Sequence, residues 1–280
     1  LSLYLLMSIG LKGGLALAQS GLTQDVVIVM LIAVGMATGV PIVAYRLLRP
    51  SLNGYDAAAV AATYGSISAV TFVTANEYLT SVGVPYEGYM SAAMALMESP
   101  GIIVAVYIAN KLRQNASSSI GLLVKDSFIE GANLLLIASL IIGIIEGPAG
   151  YSTMKPFTGD LFTGLLAFFL LDMGIQVAKN IPELKGKSPA LLLYAILAPL
   201  AHSAVALVLC IVMGVSLGNT VLLMVLCASA SYIAVPAALK HSVPEASSSI
   251  YLGLSLGVTF PFNVILGIPL YHAIATWAMG

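Results

Sequence analysis

The chain has 280 residues, of which 59% are hydrophobic and only 8% are charged, and its formal net charge is -1. A protein with so few charged residues cannot cover a soluble globule with a solvated surface, and it offers no basic patch for nucleic acid. Both cysteines, Cys210 and Cys227, lie in apolar stretches, which argues against a disulfide framework or a metal cluster. The composition therefore predicts an integral membrane protein.

Apolar runs long enough to cross a membrane recur along the whole chain. Each is near the roughly 20 residues that an α-helix needs to span hydrocarbon, and short polar or Pro/Gly-rich breaks separate them. The pattern predicts an all-α protein with nine spanning helices. Their predicted bounds are residues 1–18, 26–47, 57–82, 88–112, 128–146, 157–179, 188–214, 219–240 and 247–279.

The cationic residues divide unevenly between the two ends of these predicted helices. If the helices cross the membrane alternately, Lys155 is the single cation at one surface and nine cations lie at the other. By the positive-inside rule, the surface with nine cations is cytoplasmic. The C-terminus then faces outward. The cations at the predicted cytoplasmic surface are Arg46, Arg49, Lys111, Arg113, Lys125, Lys179, Lys185, Lys187 and Lys240.

Short stretches of the first half recur in the second half in the same order. MSIGLKGG pairs with LDMGIQVA, GSISAV pairs with CASASYIAV, and ESPGIIV pairs with TFPFNVI. Because the paired helices enter the membrane from opposite sides, the halves form an inverted repeat. The second half has one helix more, which predicts a further helix ahead of residue 1 and a whole of five plus five helices. We assign residues 1–114 to the first repeat, 115–125 to a cytoplasmic connecting loop and 126–280 to the second repeat.

One of these matches places polar residues in the middle of an apolar helix in each half. Ser66 aligns with Ser229 and Ser68 with Ser231, at a separation of 163 residues. In inverted-repeat transporters the substrate binds near the midplane, where broken helices offer N-termini to anions and freed carbonyls to cations. Close helix packing is the better explanation of a single S-x-S stretch. Its repetition at symmetric positions favours a binding site made from a broken helix of each half.

Two prolines indicate a cation site near the serines. Glu98 directly precedes Ser99-Pro100-Gly101, where the proline frees a helix carbonyl, and Thr259 and Asn263 flank Pro261 at the matching position. A carboxylate inside a membrane span is costly unless it has a partner or faces a polar cavity, so it is a candidate sodium ligand. Capping of the helix that resumes after the proline is an equally good explanation of Glu98.

Several of these stretches resemble the SbtA-type sodium-dependent bicarbonate transporter family. The resemblance runs through nearly the whole chain and is carried by IGLKGG, YGSISAVTF, MESPGIIVAVYIANKL, SASYIAVPAALKHSVPEASSSIYLG and GIPLYHAIA, in that order. It implies ten helices in two inverted halves, a homotrimer in the bacterial inner membrane, and bicarbonate uptake coupled to Na+, with no other cofactor. Whether a PII-like cytoplasmic regulator binds this chain stays open.

By position, the resemblance places bicarbonate between the two broken helices and sodium beside it. The chain departs from the family pattern at two places. Where members carry an acidic residue and then Gly-Pro-Pro, this chain has Tyr232 and then Ala234-Val235-Pro236. Where members carry Asp-Ile-Pro, it has Glu98-Ser99-Pro100. The first departure leaves the sodium stoichiometry and the choice of anion open. The expected anion-binding residues are Gly65, Ser66, Ser68, Ala69, Ser229, Ser231 and Tyr232, and the expected sodium-binding residues are Ser68, Thr71, Glu98, Ser231, Thr259 and Asn263.

The sequence thus predicts a secondary transporter and not an enzyme. It would carry bicarbonate and sodium inward by an elevator-like movement of the broken helices past a more static scaffold. The alternatives are sodium-coupled transport of another small anion, such as a carboxylate, and a membrane receptor that does not transport. The sequence contains no nucleotide-binding loop, zinc-protease motif or nucleophile elbow.

Overall fold

A computed structural model describes residues 1–113, 131–180 and 188–280, and the regular structure in these ranges is helical throughout. Helix α11 contains the π-helical turns Ser255–Thr259 and Asn263–Gly267, and a further π-helical turn, Pro156–Asp160, precedes α7. The helices are α1 (Ser2–Ser20), α2 (Gln24–Leu48), α3 (Gly54–Gly65), α4 (Ala69–Ser81), α5 (Met90–Leu112), α6 (Gly131–Lys155), α7 (Phe162–Asn180), α8 (Pro189–Met213), α9 (Leu217–Ala228), α10 (Ala234–Ser242) and α11 (Ser248–Met279).

Among the described residues, 7 helical segments are long and apolar enough to cross a membrane. The chain is therefore an all-α, multi-pass membrane protein. The predicted span at 1–18 is present as α1, which has the length but is less apolar, and the predicted span at 219–240 is present as the shorter helices α9 and α10. The predicted loop at 115–125 and the residues Lys125, Lys185 and Lys187 lie outside the described ranges.

Polar residues in the sequence set where the central helices begin and end. The Asn53 side chain caps α3 by accepting hydrogen bonds from the N–H groups of Tyr55 and Asp56, at 3.0 and 2.9 Å. Residues 66–68 are not helical, so the predicted helix at 57–82 consists of α3 and α4. Residues 229–233 likewise separate α9 from α10.

Both interruptions lie in the interior of the protein. In the apolar window of Gly54–Ser81, 89% of the residues are buried, compared with 17% for the segment that includes α6 and 22% for α7. All residues from Gly218 to Ala228 in α9 are buried as well. Irregular backbone is tolerated at membrane depth only where protein covers it, so this burial explains how the interruptions persist.

Helices α1 and α6 pack with their backbones in close contact. A Cβ atom at Gly14 would lie 2.0 Å from the carbonyl oxygen of Leu140, and one at Gly143 would lie 2.4 Å from that of Leu11. Small residues permit such an approach in membranes. Helix α6 changes direction at Gly147, whose φ is 57°, directly after the predicted end of this span at residue 146. Elsewhere in the described chain, α3 packs against α2 and α5, and α9 packs against α8.

Matching contacts hold the loops at the two ends of the helix bundle. Asp56 in α3 accepts a hydrogen bond from the Ser247 N–H, just before α11, at 2.7 Å. Asn219 in α9 accepts one from the Glu87 N–H, just before α5, at 2.9 Å. Because α3 runs from residue 54 to 65 and α9 from 217 to 228, both ends are offset by 163 residues and Asp56 and Asn219 hold the same helix position.

Arg113 joins the end of α5 to the loop between α10 and α11. Its Nε lies 2.7 Å from Oε1 of Glu245, and its guanidinium also donates to the Ser242 carbonyl at 3.1 Å. The hydrogen bond from Arg113 holds the pKa of the Glu245 carboxyl below its usual value. These contacts place the two chain segments at the same end of the bundle, in agreement with the predicted alternate threading.

We expect Asp56→Ala to lower thermal stability more than Asp56→Asn does. Alanine leaves the Ser247 N–H without its acceptor, at a cost of about 1–3 kcal/mol. Asparagine retains an acceptor oxygen, as Asn219 shows at the same position of α9. Melting temperatures of both variants in detergent test this, and equal losses would assign the effect to the charge of Asp56 instead.

Candidate functional site

The two helix interruptions contact each other directly. The Ser68 N–H donates to the Ser229 hydroxyl at 2.9 Å, and the Ser231 N–H donates to the Thr63 carbonyl at 2.8 Å. Ser66, Ser68, Ser229 and Ser231 are all at most 4% exposed. The two S-x-S stretches that the sequence paired therefore lie side by side in the protein interior.

Helices α4 and α10 begin at these interruptions. The Ser68 hydroxyl accepts hydrogen bonds from the N–H and the hydroxyl of Thr71 at 3.2 and 2.9 Å, and the Ser231 hydroxyl accepts one from the Val235 N–H at 3.2 Å. The first N–H groups of a helix have no intrahelical partner. Those of Ala69 and Ala234 donate to no acceptor within the described part of the chain. Two helix N-termini thus bring partial positive charge to one place.

A cavity of about 30 Å³ lies between these two N-termini and the helices α1 and α7. About 10–15 Å³ of such space holds one water molecule, so this conformation takes about two or three water-sized groups. Ala69 and Ala234, the first residues of α4 and α10, are among the residues that line the cavity. The polar side chains that line it are those of Ser68, Glu98, Ser231 and Tyr232.

Glu98 connects α5 to this cavity. Its side chain is 5% exposed, and its backbone carbonyl accepts a hydrogen bond from the Ser66 hydroxyl at 2.9 Å. A carboxylate at this depth is expensive unless charge or hydrogen bonds compensate it. The hydrogen bond joins the backbone of α5 at Glu98 to Ser66, which directly follows α3, so Glu98 lies beside the first interruption.

Tyr232 supplies a phenol where the resemblance leads one to expect an acidic side chain. Its ring packs edge-on against Phe260, with centroids 5.1 Å apart. Its hydroxyl faces that of Ser68 without a hydrogen bond of good geometry. The hydroxyl is therefore oriented toward the cavity region, where it can donate a hydrogen bond to a ligand.

Two of the expected sodium-binding residues have their oxygens engaged elsewhere. The Thr259 hydroxyl donates to the Ala195 carbonyl at 2.7 Å and lies 2.6 Å from the Tyr64 hydroxyl. The Asn263 amide donates to the Ala228 carbonyl at 2.8 Å, and its oxygen accepts a hydrogen bond from a tyrosine hydroxyl. Neither residue lines the cavity. Their contacts fix α11 against α3, α8 and α9.

Other expected site residues stabilise the backbone around the two interruptions. A Cβ atom at Gly65 would lie 2.6 Å from the ring of Pro41, so glycine there lets α3 approach α2. The Ser229 hydroxyl donates to the Leu226 carbonyl at 2.8 Å and accepts from Ser68, and Thr71 bonds Ser68. These side chains, with Ser66, hold the helix ends and do not line the cavity.

The sequence did not identify the apolar residues of α1 and α7 that line the cavity. Leu5 and Ile9 of α1 and Phe169 of α7 line it. Leu5 and Ile9 are four residues apart and share a helix face, but many pairs in an apolar helix do so. Helical periodicity alone therefore does not distinguish Leu5 and Ile9 from the other apolar residues of α1.

The sequence matches the family profile of the Na+-dependent bicarbonate transporter superfamily over residues 1–276. The chain belongs to this superfamily. The resemblance identified in the sequence is thereby confirmed, and membership implies Na+ as the coupling ion. The search of curated proteins gave no match.

Proposed function

We propose that the chain is a symporter that carries bicarbonate into the cell together with Na+. Superfamily membership supports the choice of ions. The observation that carries the proposal is the convergence of two helix N-termini, two serine hydroxyls and a carboxyl group on one buried cavity. Such a site offers charges of both signs around one cavity, as binding an anion and a cation together requires.

The anion is bound between the first turns of α4 and α10 in this proposal. The N–H groups of Ala69 and Ala234 and the hydroxyls of Ser68 and Ser231 donate to its oxygens. Tyr232 contributes a further donor. An acidic residue at this position would repel bicarbonate unless a cation neutralised it, whereas a phenol attracts the anion without one.

Sodium is bound on the Glu98 side of the cavity. Glu98 and Ser68 line the cavity, and their carboxylate and hydroxyl are oxygen ligands of the kind that hard cations prefer. Thr71 lies behind Ser68 and holds its hydroxyl in place by donating a hydrogen bond to it. Sodium bound there neutralises the carboxylate and so removes its repulsion of the anion. Because a ligand shifts conformations only through differential affinity, this mutual stabilisation is what couples the two ions.

The position of the cavity supports an elevator-like movement. The broken helices form one side of the cavity and α1 and α7 form the other. Bicarbonate alone has four non-hydrogen atoms, so the cavity of about 30 Å³ must widen to admit both ions. Displacement of the broken helices relative to α1 and α7 widens it.

An inverted repeat in the inner membrane, with the C-terminus outward, is part of the same proposal. It is supported by the equal offset of α3 and α9 and by the matching contacts of Asp56 and Asn219 at opposite ends of the bundle. The division at residues 115–125, the homotrimer and a PII-like regulator stay predictions.

Uptake of labelled bicarbonate into proteoliposomes tests the function. We expect accumulation when Na+ is high outside and loss of accumulation when K+ replaces Na+. Uptake that is equal in both salts would contradict the coupling. Uptake of labelled acetate without bicarbonate would instead support a carboxylate transporter, and uptake of neither anion would support a receptor.

A further inference from the structure

A second cavity, unrelated to the proposed ion site, opens between α2 and α5 at the predicted cytoplasmic end of the bundle. It is a groove of about 600 Å³. The aliphatic part of its lining comes from Ile42 on α2 and from Val104, Ile108 and Leu112 on α5. Arg46 and Lys111, each in the last turn of its helix, also line the groove. The groove thus combines an apolar trough with two cations.

The two cations are available to an external partner. Arg46 and Lys111 are exposed, and neither is paired with a carboxylate of the described residues. A helix C-terminus and the positive-inside rule each favour a single cation at such a position. Neither effect explains why Arg46 and Lys111 both line the same apolar groove. Tyr107 beside them is 51% exposed, as is common for tyrosine at the level of lipid headgroups.

We propose that this groove binds an anionic phospholipid of the cytoplasmic leaflet. The phosphate lies between Arg46 and Lys111, and one acyl chain lies along Ile42, Val104 and Ile108. The planar guanidinium of arginine matches phosphate oxygens in a bidentate manner, and lysine adds a point charge. Basic pockets between membrane helices on the cytoplasmic side are suited to acidic headgroups. A zwitterionic headgroup brings its own ammonium toward these cations and binds less well.

Binding of this lipid is expected to stabilise the transporter. Helices α2 and α5 both pack against α3, which carries the first interruption. A lipid held by one residue from each helix joins α2 to α5 at their cytoplasmic ends. Melting temperature in detergent should therefore rise when phosphatidylglycerol is added and rise less with phosphatidylcholine of the same acyl chains.

Native mass spectrometry during lipid titration measures the binding itself. We expect phosphatidylglycerol to bind more tightly than matched phosphatidylcholine. Arg46→Gln and Lys111→Gln should each lower its affinity about fivefold, and the double variant about 25-fold. Lys179→Gln is the matched control, because it removes an exposed cation from the same predicted surface on α7. This control should bind phosphatidylglycerol as the unaltered protein does.

Two outcomes would overturn the proposal: equal affinity for both lipids, or an equal effect of Lys179→Gln and the groove variants. Should the double variant fail to fold, the salt dependence of the unaltered protein decides. High salt should weaken binding of phosphatidylglycerol and leave phosphatidylcholine unchanged, and the absence of a difference would count against the site. Glycerol phosphate should not compete, and full competition by it would assign the groove to a free phosphate.

Discussion

Replacing Ser68 or Ser231 with leucine should abolish bicarbonate uptake while the protein stays folded. Each hydroxyl lines the cavity and accepts a hydrogen bond from the first turn of α4 or α10. Leucine removes the hydroxyl and fills a cavity of only about 30 Å³. A lost hydrogen bond to a charged ligand alone lowers affinity up to roughly 100-fold, and steric exclusion adds to it. Labelled bicarbonate uptake driven by a Na+ gradient measures the loss.

Alanine variants separate the hydroxyl from the space it occupies. Ser68→Ala and Ser231→Ala remove the same oxygen without filling the cavity, and uptake should still fall at least about tenfold. Ser203→Ala is the control, because Ser203 is equally buried but donates only to the Leu200 carbonyl within α8. Its uptake should be unchanged. Normal transport by both leucine variants would show that the anion does not bind at the meeting of the two interruptions.

The helices were predictable because a helix that crosses the hydrocarbon core must have about 20 mostly apolar residues, and such runs can be read directly from the sequence. The predicted run at 26–47, for example, appears as α2 at Gln24–Leu48. Helix α6 shows the limit of this reasoning. The prediction ended at residue 146, yet a helical segment continues beyond Gly147 to Lys155. A kink at Gly147 followed by a short, more polar helix carries no signal of membrane-spanning length.

The candidate site was predictable only where the sequence repeats itself. Ser68 and Ser231 stood out because polar pairs recur at matching places in two apolar helices, and the structure brings them to one cavity. Asn263 looked equally suitable as an oxygen ligand beside a proline. Its partner, the Ala228 carbonyl, lies 35 residues away in the chain and on another helix. Such pairings depend on how helices pack, which one sequence without its fold does not reveal.

Gly101→Ala should lower uptake about tenfold and destabilise the protein by about 1–3 kcal/mol. A Cβ atom at Gly101 would lie 2.9 Å from the Ala62 carbonyl oxygen and 3.0 Å from the Ser66 nitrogen. Both atoms belong to the backbone at the end of α3 and cannot rotate away. Helix α5 must therefore retreat, which stretches the hydrogen bond of 2.9 Å between the Ser66 hydroxyl and the Glu98 carbonyl.

Gly35→Ala provides the control for this substitution, since a Cβ at Gly35 in α2 meets nothing within 4 Å and alanine favours the helix. It should preserve both uptake and melting temperature.

The dependence of uptake on the concentration of each ion tests where sodium binds. Glu98 moves with α5, whereas the serines at α4 and α10 do not. The Na+ concentration for half-maximal uptake should therefore rise more in Gly101→Ala than the bicarbonate concentration does. Equal changes in the two would contradict the assignment of sodium to the Glu98 side.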